Sequence, residues 1–281
     1  MNPAMRLLVN ILLSVTALVL SSCKPMLQNP VSQATATPSG VHIPTIPVPI
    51  AQPQQPASTP QLLRRTIAGM TFEGVTYDSR THRLQVVDQS NGPGSRYESA
   101  QDLASKSSAL LAINAGFFTP EGDPLGLVIS GGKTSGGWNS ASSLGSGIYR
   151  ETASGDVVIV RRSSRSAVAS SRELLQAGPL LIENGNPVSG LDSQKAAVRS
   201  IVLTDGGSRW WIGITSPCSL SALAQAISQN SPAPWKTQVA LNLDGGRSTD
   251  LFVSEKVAGG SLNRRGFLNR PVRNFLILQE K

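Results

Sequence analysis

The chain has 281 residues, 25 basic and 17 acidic side chains, two histidines, two cysteines and a formal charge of +8. That length carries one domain with a substantial core, and two cysteines exclude a disulfide framework. Aromatic residues make up 5% of the chain and the arginines are scattered, so nucleic-acid binding lacks its stacking platforms, and an anionic substrate or envelope polymer is the better use of the charge.

Residues 1–22 carry one charge, Arg6, then the uncharged run 7–20, and end in Leu20-Ser21-Ser22 before Cys23. A basic start, a short apolar run and small residues make a secretory signal, too short for a comfortable membrane span. Leu20-Ser21-Ser22-Cys23 also matches the lipobox of bacterial lipoproteins. That match implies lipidation of Cys23 and anchoring through acyl chains, with a plain signal peptide as the alternative. Cys218 then has no partner in the chain. Residues 23–60 hold nine prolines and one charge, Lys24. Such a composition buries no core and reads as a disordered stalk ahead of a domain at residues 61–281. All 17 acidic residues and all but two basic ones fall in that domain, which carries about +6.

Within the domain, residues 70–77 and 83–88 read as a hairpin across 78–81. A helix is expected over 99–107 and a buried strand over 109–114, then a strand over 125–130 that turns at Gly131-Gly132. Residues 147–150 and 156–161 form a second hairpin, 172–176 a short helix and 179–183 a strand. Strands at 199–204 and 209–214 pair across 205–208, and the alternation along the second puts one of Trp210 and Trp211 in the core and the other outside. Ser219 caps a helix to about 230, and strands at 239–243, 251–254 and 274–279 complete the set. The expected class is α+β, a strand-rich single domain with a large twisted mixed sheet, or two packed sheets, and a few helices.

The reactive groups are few. A Ser-His-Asp or Cys-His site depends on His82, because His42 falls in the stalk, and a His/Cys zinc site lacks ligands. No phosphate loop ending in Gly-Lys-Ser/Thr is present. Chemistry therefore rests on Asp and Glu as acid or base, with Arg, Asn and backbone N–H groups binding anions. One string stands out: residues 240–243 deliver Asp244 onto Gly245 and Gly246, followed by Arg247 and Ser248. Such a turn lets a ligand approach the backbone closely, though it reads equally as a strand ending in a tight Asp-Gly turn. Asn114-Ala115-Gly116-Phe117-Phe118 similarly ends a strand in a polar, glycine-broken turn, and Glu121 and Asp123 follow.

In order and spacing these segments resemble the phosphodiester glycosidase family. Residues 114–118 match its Asn-Gly/Ala-Gly-Phe-Phe element, and Leu125-Gly126 with Ser130 its Leu-Gly-x-x-x-Ser element. Gly178-Pro179, Arg199-Ser200, residues 242–246 with Ser248, and Arg270-Pro271-Val272 follow in the family's order. Three positions depart from the pattern: Arg247 replaces a third glycine, Ser200 a threonine, and Arg273 a small residue.

The resemblance implies hydrolysis of a sugar-1-phosphodiester at the anomeric carbon, releasing free sugar and a phosphomonoester. It assigns the carboxylate that activates water or stabilises the developing cation to Asp244, with Glu121 and Asp123 for a second carboxyl role. Phosphate binding falls to Arg199 and Arg247, with Gly245, Gly246, Ser248 and Gly116 around the substrate. Asn114 would bond a sugar hydroxyl or acetamido group, and Phe117 would pack on the ring. No cofactor is firmly implied, and a divalent cation, Ca²⁺ or Mg²⁺, near Asp244 is the alternative. The partners implied are a phosphorylated glycan or glycopolymer and, through Cys23, a membrane. The setting implied is the bacterial cell envelope, on the periplasmic or outer surface. Two other readings stay open: a non-catalytic envelope protein that binds phosphate-containing glycopolymers, and a hydrolase of another cell-wall bond on the same fold.

Overall fold

The computed structural model describes residues 58–163, 168 and 170–281. The expected signal and nearly all of the stalk lie outside the described residues. The strand-rich α+β class holds, with the strands divided among three sheets. The first has seven strands in the order β1 (Gln61–Ile67), β2 (Met70–Asp78), β13 (Arg209–Thr215), β12 (Ser200–Thr204), β14 (Val239–Asn242), β10 (Leu180–Glu183) and β11 (Asn186–Pro187). The second runs β16 (Leu262–Arg265), β15 (Asp250–Val253), β4 (Leu111–Asn114), β17 (Asn274–Glu280) and β3 (His82–Asp88). The third runs β6 (Lys133–Ser135), β5 (Val128–Ser130), β9 (Ser171–Ala177), β7 (Gly147–Thr152) and β8 (Val157–Arg161). Every strand pair is antiparallel.

The inner faces of the three sheets share one core, in which Val75, Leu84, Ile113, Tyr149, Leu241 and Leu276 are fully buried. The outer face of the seven-stranded sheet is covered by α2 (Leu220–Gln229), through Leu223 and Ile227 against Ile201, Leu203 and Trp211. The helix α1 (Ala100–Ser107) covers the second sheet through Leu103, against Ala112 and Phe275. Both helices start on a serine whose hydroxyl accepts a backbone N–H of the first turn, Ser99 from Asp102 and Ser219 from Ala222.

Three expectations are corrected. Residues 172–176 form the middle of β9, not a helix. Glu173, Leu174, Leu175 and Gln176 are all buried there, and pairing on both edges overrides the helix propensity of the string. The strands at 70–78 and 82–88 exist but do not pair: β2 lies between β1 and β13, and β3 pairs with β17. Asp78 turns the chain between the two sheets, accepting from Arg80 N at 2.9 Å while its carbonyl accepts from Thr81 N. Finally, Trp210 and Trp211 are both buried, because the sheet that carries them is covered on both faces.

Candidate functional site

Two buried strands from different sheets end side by side and hold the site. Strand β14 pairs with β12 and β10, and β4 pairs with β15 and β17. Past their ends, Asp244 N donates to Ala115 O at 2.8 Å, and Leu243 N donates to Ser200 O at 2.8 Å. The glycines that follow are required by geometry. A Cβ on Gly245 would stand 2.6 Å from Val198 O, and Gly246 sits at φ +60° in the left-handed region. The chain then closes a short 3-10 turn, Gly246–Ser248.

Asn114 is the joint of this arrangement. It is fully buried. Its Nδ2 donates to Asp244 O at 2.6 Å, while Oδ1 accepts from Ser200 Oγ at 2.7 Å and from Asp250 N at 3.1 Å. One side chain thereby ties β4, β12, the Asp244 turn and β15 together. Asn114, expected to bond substrate, thereby positions the turn and is not among the residues lining the cleft. Gly116 is buried as well, its N–H donating to Asn274 Oδ1 at 2.6 Å, and its place against Leu175 and Asn274 leaves no room for a side chain.

The cleft over the turn has a volume of about 730 Å³. Asp244, Gly245, Gly246 and Ser248 form its floor, and Phe117 and Phe118 also line it. Arg199 lines it from a buried position, with Nε donating to Cys218 O at 3.1 Å and Nη2 to Lys195 O at 2.6 Å. Those bonds use two of its five N–H groups. Arg247 is exposed at the rim, and its Nε donates to Leu268 O at 3.2 Å. Glu121 and Asp123, expected in the second carboxyl role, lie on an exposed loop and are not among the residues lining the cleft. Asp123 faces Arg273 at 3.9 Å, whereas Arg273 pairs closely with Asp88 at 2.8 Å.

Among the cleft residues outside the sequence-derived set, three bear on its chemistry. Arg270 and Lys195 add positive charge to its lining. Asn242 Nδ2 donates to Gly178 O and Leu243 O, while its Oδ1 is buried and has no partner among the described residues. Arg270 and Asn242 both fall inside the matched motifs, so the signal for them was present as motif membership without a role. Lys195 had no signal in the sequence.

Burial pushes the Asp244 carboxyl up to about 6, against the opposing pull of the Ser248 hydroxyl, the Gly245 N–H at 2.9 Å and the charge of Arg270. Near neutrality it is an ionised, weakly solvated base. Among the described residues no three His, Cys, Asp or Glu side chains gather to hold a metal ion. The cleft sets Arg199, Arg247, Arg270 and Lys195 around Asp244, with Asp192 as the other carboxylate in its lining. That donor set suits an anion and not a hard cation.

Residues 107–279 match the phosphodiester glycosidase family, and the chain belongs to that family. Among solved structures the fold is similar to that of a hypothetical protein from Synechocystis, with a TM-score of 0.57 and 18% identity over 82% of this chain and 64% of the other. The chain thus spans less than two-thirds of that protein's length. It is also similar to the catalytic domain of zebrafish N-acetylglucosamine-1-phosphodiester alpha-N-acetylglucosaminidase, auto-inhibited by its pro-peptide. There the TM-score is 0.56, with 14% identity over 82% of this chain and 85% of the other. Identities this low carry the fold alone. No curated protein matches the sequence.

Proposed function

We propose that this protein hydrolyses a sugar-1-phosphodiester at the anomeric carbon, releasing free sugar and a phosphomonoester. The observation that carries the reading is Asp244, one desolvated carboxylate on the floor of a cleft lined by Arg199, Arg247, Arg270 and Lys195. The guanidinium groups bind phosphate oxygens and take up the charge that grows as the C1–O bond breaks. A phosphate leaving group departs as an anion and needs little protonation, so one carboxylate is enough for the bond-breaking step. Asp244 either takes a proton from the attacking water or stabilises the oxocarbenium-like carbon. Phe117 offers a face to the ring. Export by the signal at residues 1–22 and lipidation at Cys23, which the lipobox match supports, would place this reaction in the bacterial cell envelope.

The test is release of reducing sugar from a panel of glycosyl-1-phosphodiesters. The wild-type protein turns over at least one member, and Asp244→Asn lowers kcat/KM by about 10²–10⁴-fold with unchanged thermal stability. Saturable binding without turnover across the panel would instead establish a glycopolymer-binding protein, the reading that the bulk and charge of Arg247 favour. Turnover of phosphate-free substrates alone would move the activity to another cell-wall bond.

A further inference from the structure

A second basin, of about 550 Å³, lies behind the Asp244 turn, and Gly246 lines both spaces. The partition between them is thin. Gly246 N donates to Val198 O at 2.8 Å, and a Cβ on Gly245 would stand 2.6 Å from that same oxygen. Two backbone segments in contact are all that separates the basins at this point. The lining of the second mixes polar and apolar groups: Ser216, Thr249, Asn263 and Asn269 supply hydroxyls and amides beside Val198 and Ile214, and Arg264 pairs with Glu73 at 2.7 Å. Thr249 is 6% exposed, yet its Oγ1 has no partner among the described residues. A buried hydroxyl left unsatisfied at the wall of a cavity marks a place where a ligand's polar group fits.

The loop between β16 and β17 joins the two basins. Gly266 and Asn269 face the second basin and Arg270 faces the first. Asn269 Nδ2 donates to Thr249 O and Arg247 Nε to Leu268 O, which pins the loop to the Asp244 turn. At its tip Phe267 is 102% exposed and Leu268 67%, the two exposed large hydrophobic residues among the described ones. Solvent-facing apolar residues on the loop between two basins of mixed lining suit a ligand with apolar ring faces and hydroxylated edges.

We propose that the second basin holds a neighbouring saccharide unit of a phosphodiester-linked glycan, so that the substrate is an oligomer or polymer and not a single sugar diester. The unit to be cleaved sits at Asp244, and the chain passes over Phe267. This inference rests on the reading that the Asp244 cleft takes a sugar-1-phosphodiester.

The experiment uses the full chain and two probes, the methyl diester of N-acetylglucosamine 1-phosphate and a tetramer of the same unit joined through 1-phosphodiesters. Calorimetry should find the tetramer bound roughly tenfold tighter than the single unit. Phe267→Ala combined with Asn263→Ala, both at exposed positions, should remove that advantage. The same double variant should leave kcat/KM on the single-unit probe within about twofold of wild type. Thr249→Val, nearly isosteric and checked for unchanged melting, should weaken tetramer binding alone. Equal binding of the two probes, binding of neither, or an advantage retained in the double variant overturns the proposal. Tighter tetramer binding without sugar release from either probe removes the hydrolase reading and leaves this one standing. Turnover of both probes with no length dependence does the reverse.

Discussion

At Asp244, burial and charge pull in opposite directions, and the balance sets a pH profile. Burial raises the carboxyl to about 6, while Ser248, the Gly245 N–H and Arg270 favour its ionised form. Activity that needs the carboxylate should therefore rise as pH increases through about 6 and level off above it. Arg270→Ala removes a positive charge, so the carboxyl titrates at higher pH and the acidic limb of kcat/KM moves upward. An unchanged limb would show that Arg270 does not act on Asp244, whatever the variant does to substrate affinity. Arg199 differs in kind, because its bonds to Cys218 O and Lys195 O also hold the loop that brings Lys195 to the cleft.

At the scale of elements, the site depends on a joint between sheets that no single motif displays. Asn114→Ala leaves Ser200 Oγ and Asp250 N without their acceptor and Asp244 O without its donor. Each buried group left unsatisfied costs about 1–3 kcal/mol. The expected outcome is a melting temperature lowered by several degrees together with a fall in kcat, since the Asp244 turn loses its anchor; wild-type melting would reject the joint. In the sequence Asn114 was visible as a motif residue but not as a strut, because its three partners are 86 to 136 positions away in the chain. Local signals fared better. The strands at 109–114 and 239–243, the cap at Ser219 and the glycine turn were all legible, since apolar runs, hydroxyls and paired glycines act over a few residues. The pairing of β2 and β3 was not, because a strand-turn-strand pattern does not say whether the chain folds back or crosses to another sheet. Strand β9 was read as a helix because Arg-Glu-Leu-Leu-Gln carries helix propensity, and only its neighbours β5 and β7 decide otherwise. The exposure of Glu121 and Asp123 likewise follows from the course of a loop, which nearness to a motif does not fix.

Across the whole molecule, the third sheet meets the second along the outer edge of β3, and side chains satisfy that edge. Glu173 Oε2 accepts from Val86 N at 3.0 Å and Oε1 from Gly131 N at 3.1 Å. Ser130 Oγ donates to Val86 O at 2.7 Å, and Tyr149 OH to Leu84 O at 2.7 Å. Glu173 also stands opposite Glu151 in the ladder, and both are buried. Burial, with a smaller contribution from Glu151, raises Glu173 to about 7 against the pull of its two backbone donors. The folded state therefore favours the protonated acid more than the unfolded chain does. The resulting stabilisation is complete below the unfolded value of about 4.3 and is lost as pH rises through about 7. Asp78, Asp102 and Glu183 are shifted downward, and their opposite contribution falls at lower pH, outside this window, whereas His82, lowered by burial, opposes the trend within it. Asp244 and Asp250 are raised and add to the trend. Urea unfolding at intervals from about pH 5 to 8 should show stability falling by on the order of 2–3 kcal/mol. Glu173→Gln cannot ionise, and although its amide meets one backbone N–H badly, that penalty does not vary with pH. The variant should therefore lie below wild type at low pH and show a flatter slope. Parallel slopes for the two proteins would remove Glu173 as the group that makes the junction between these sheets sensitive to pH.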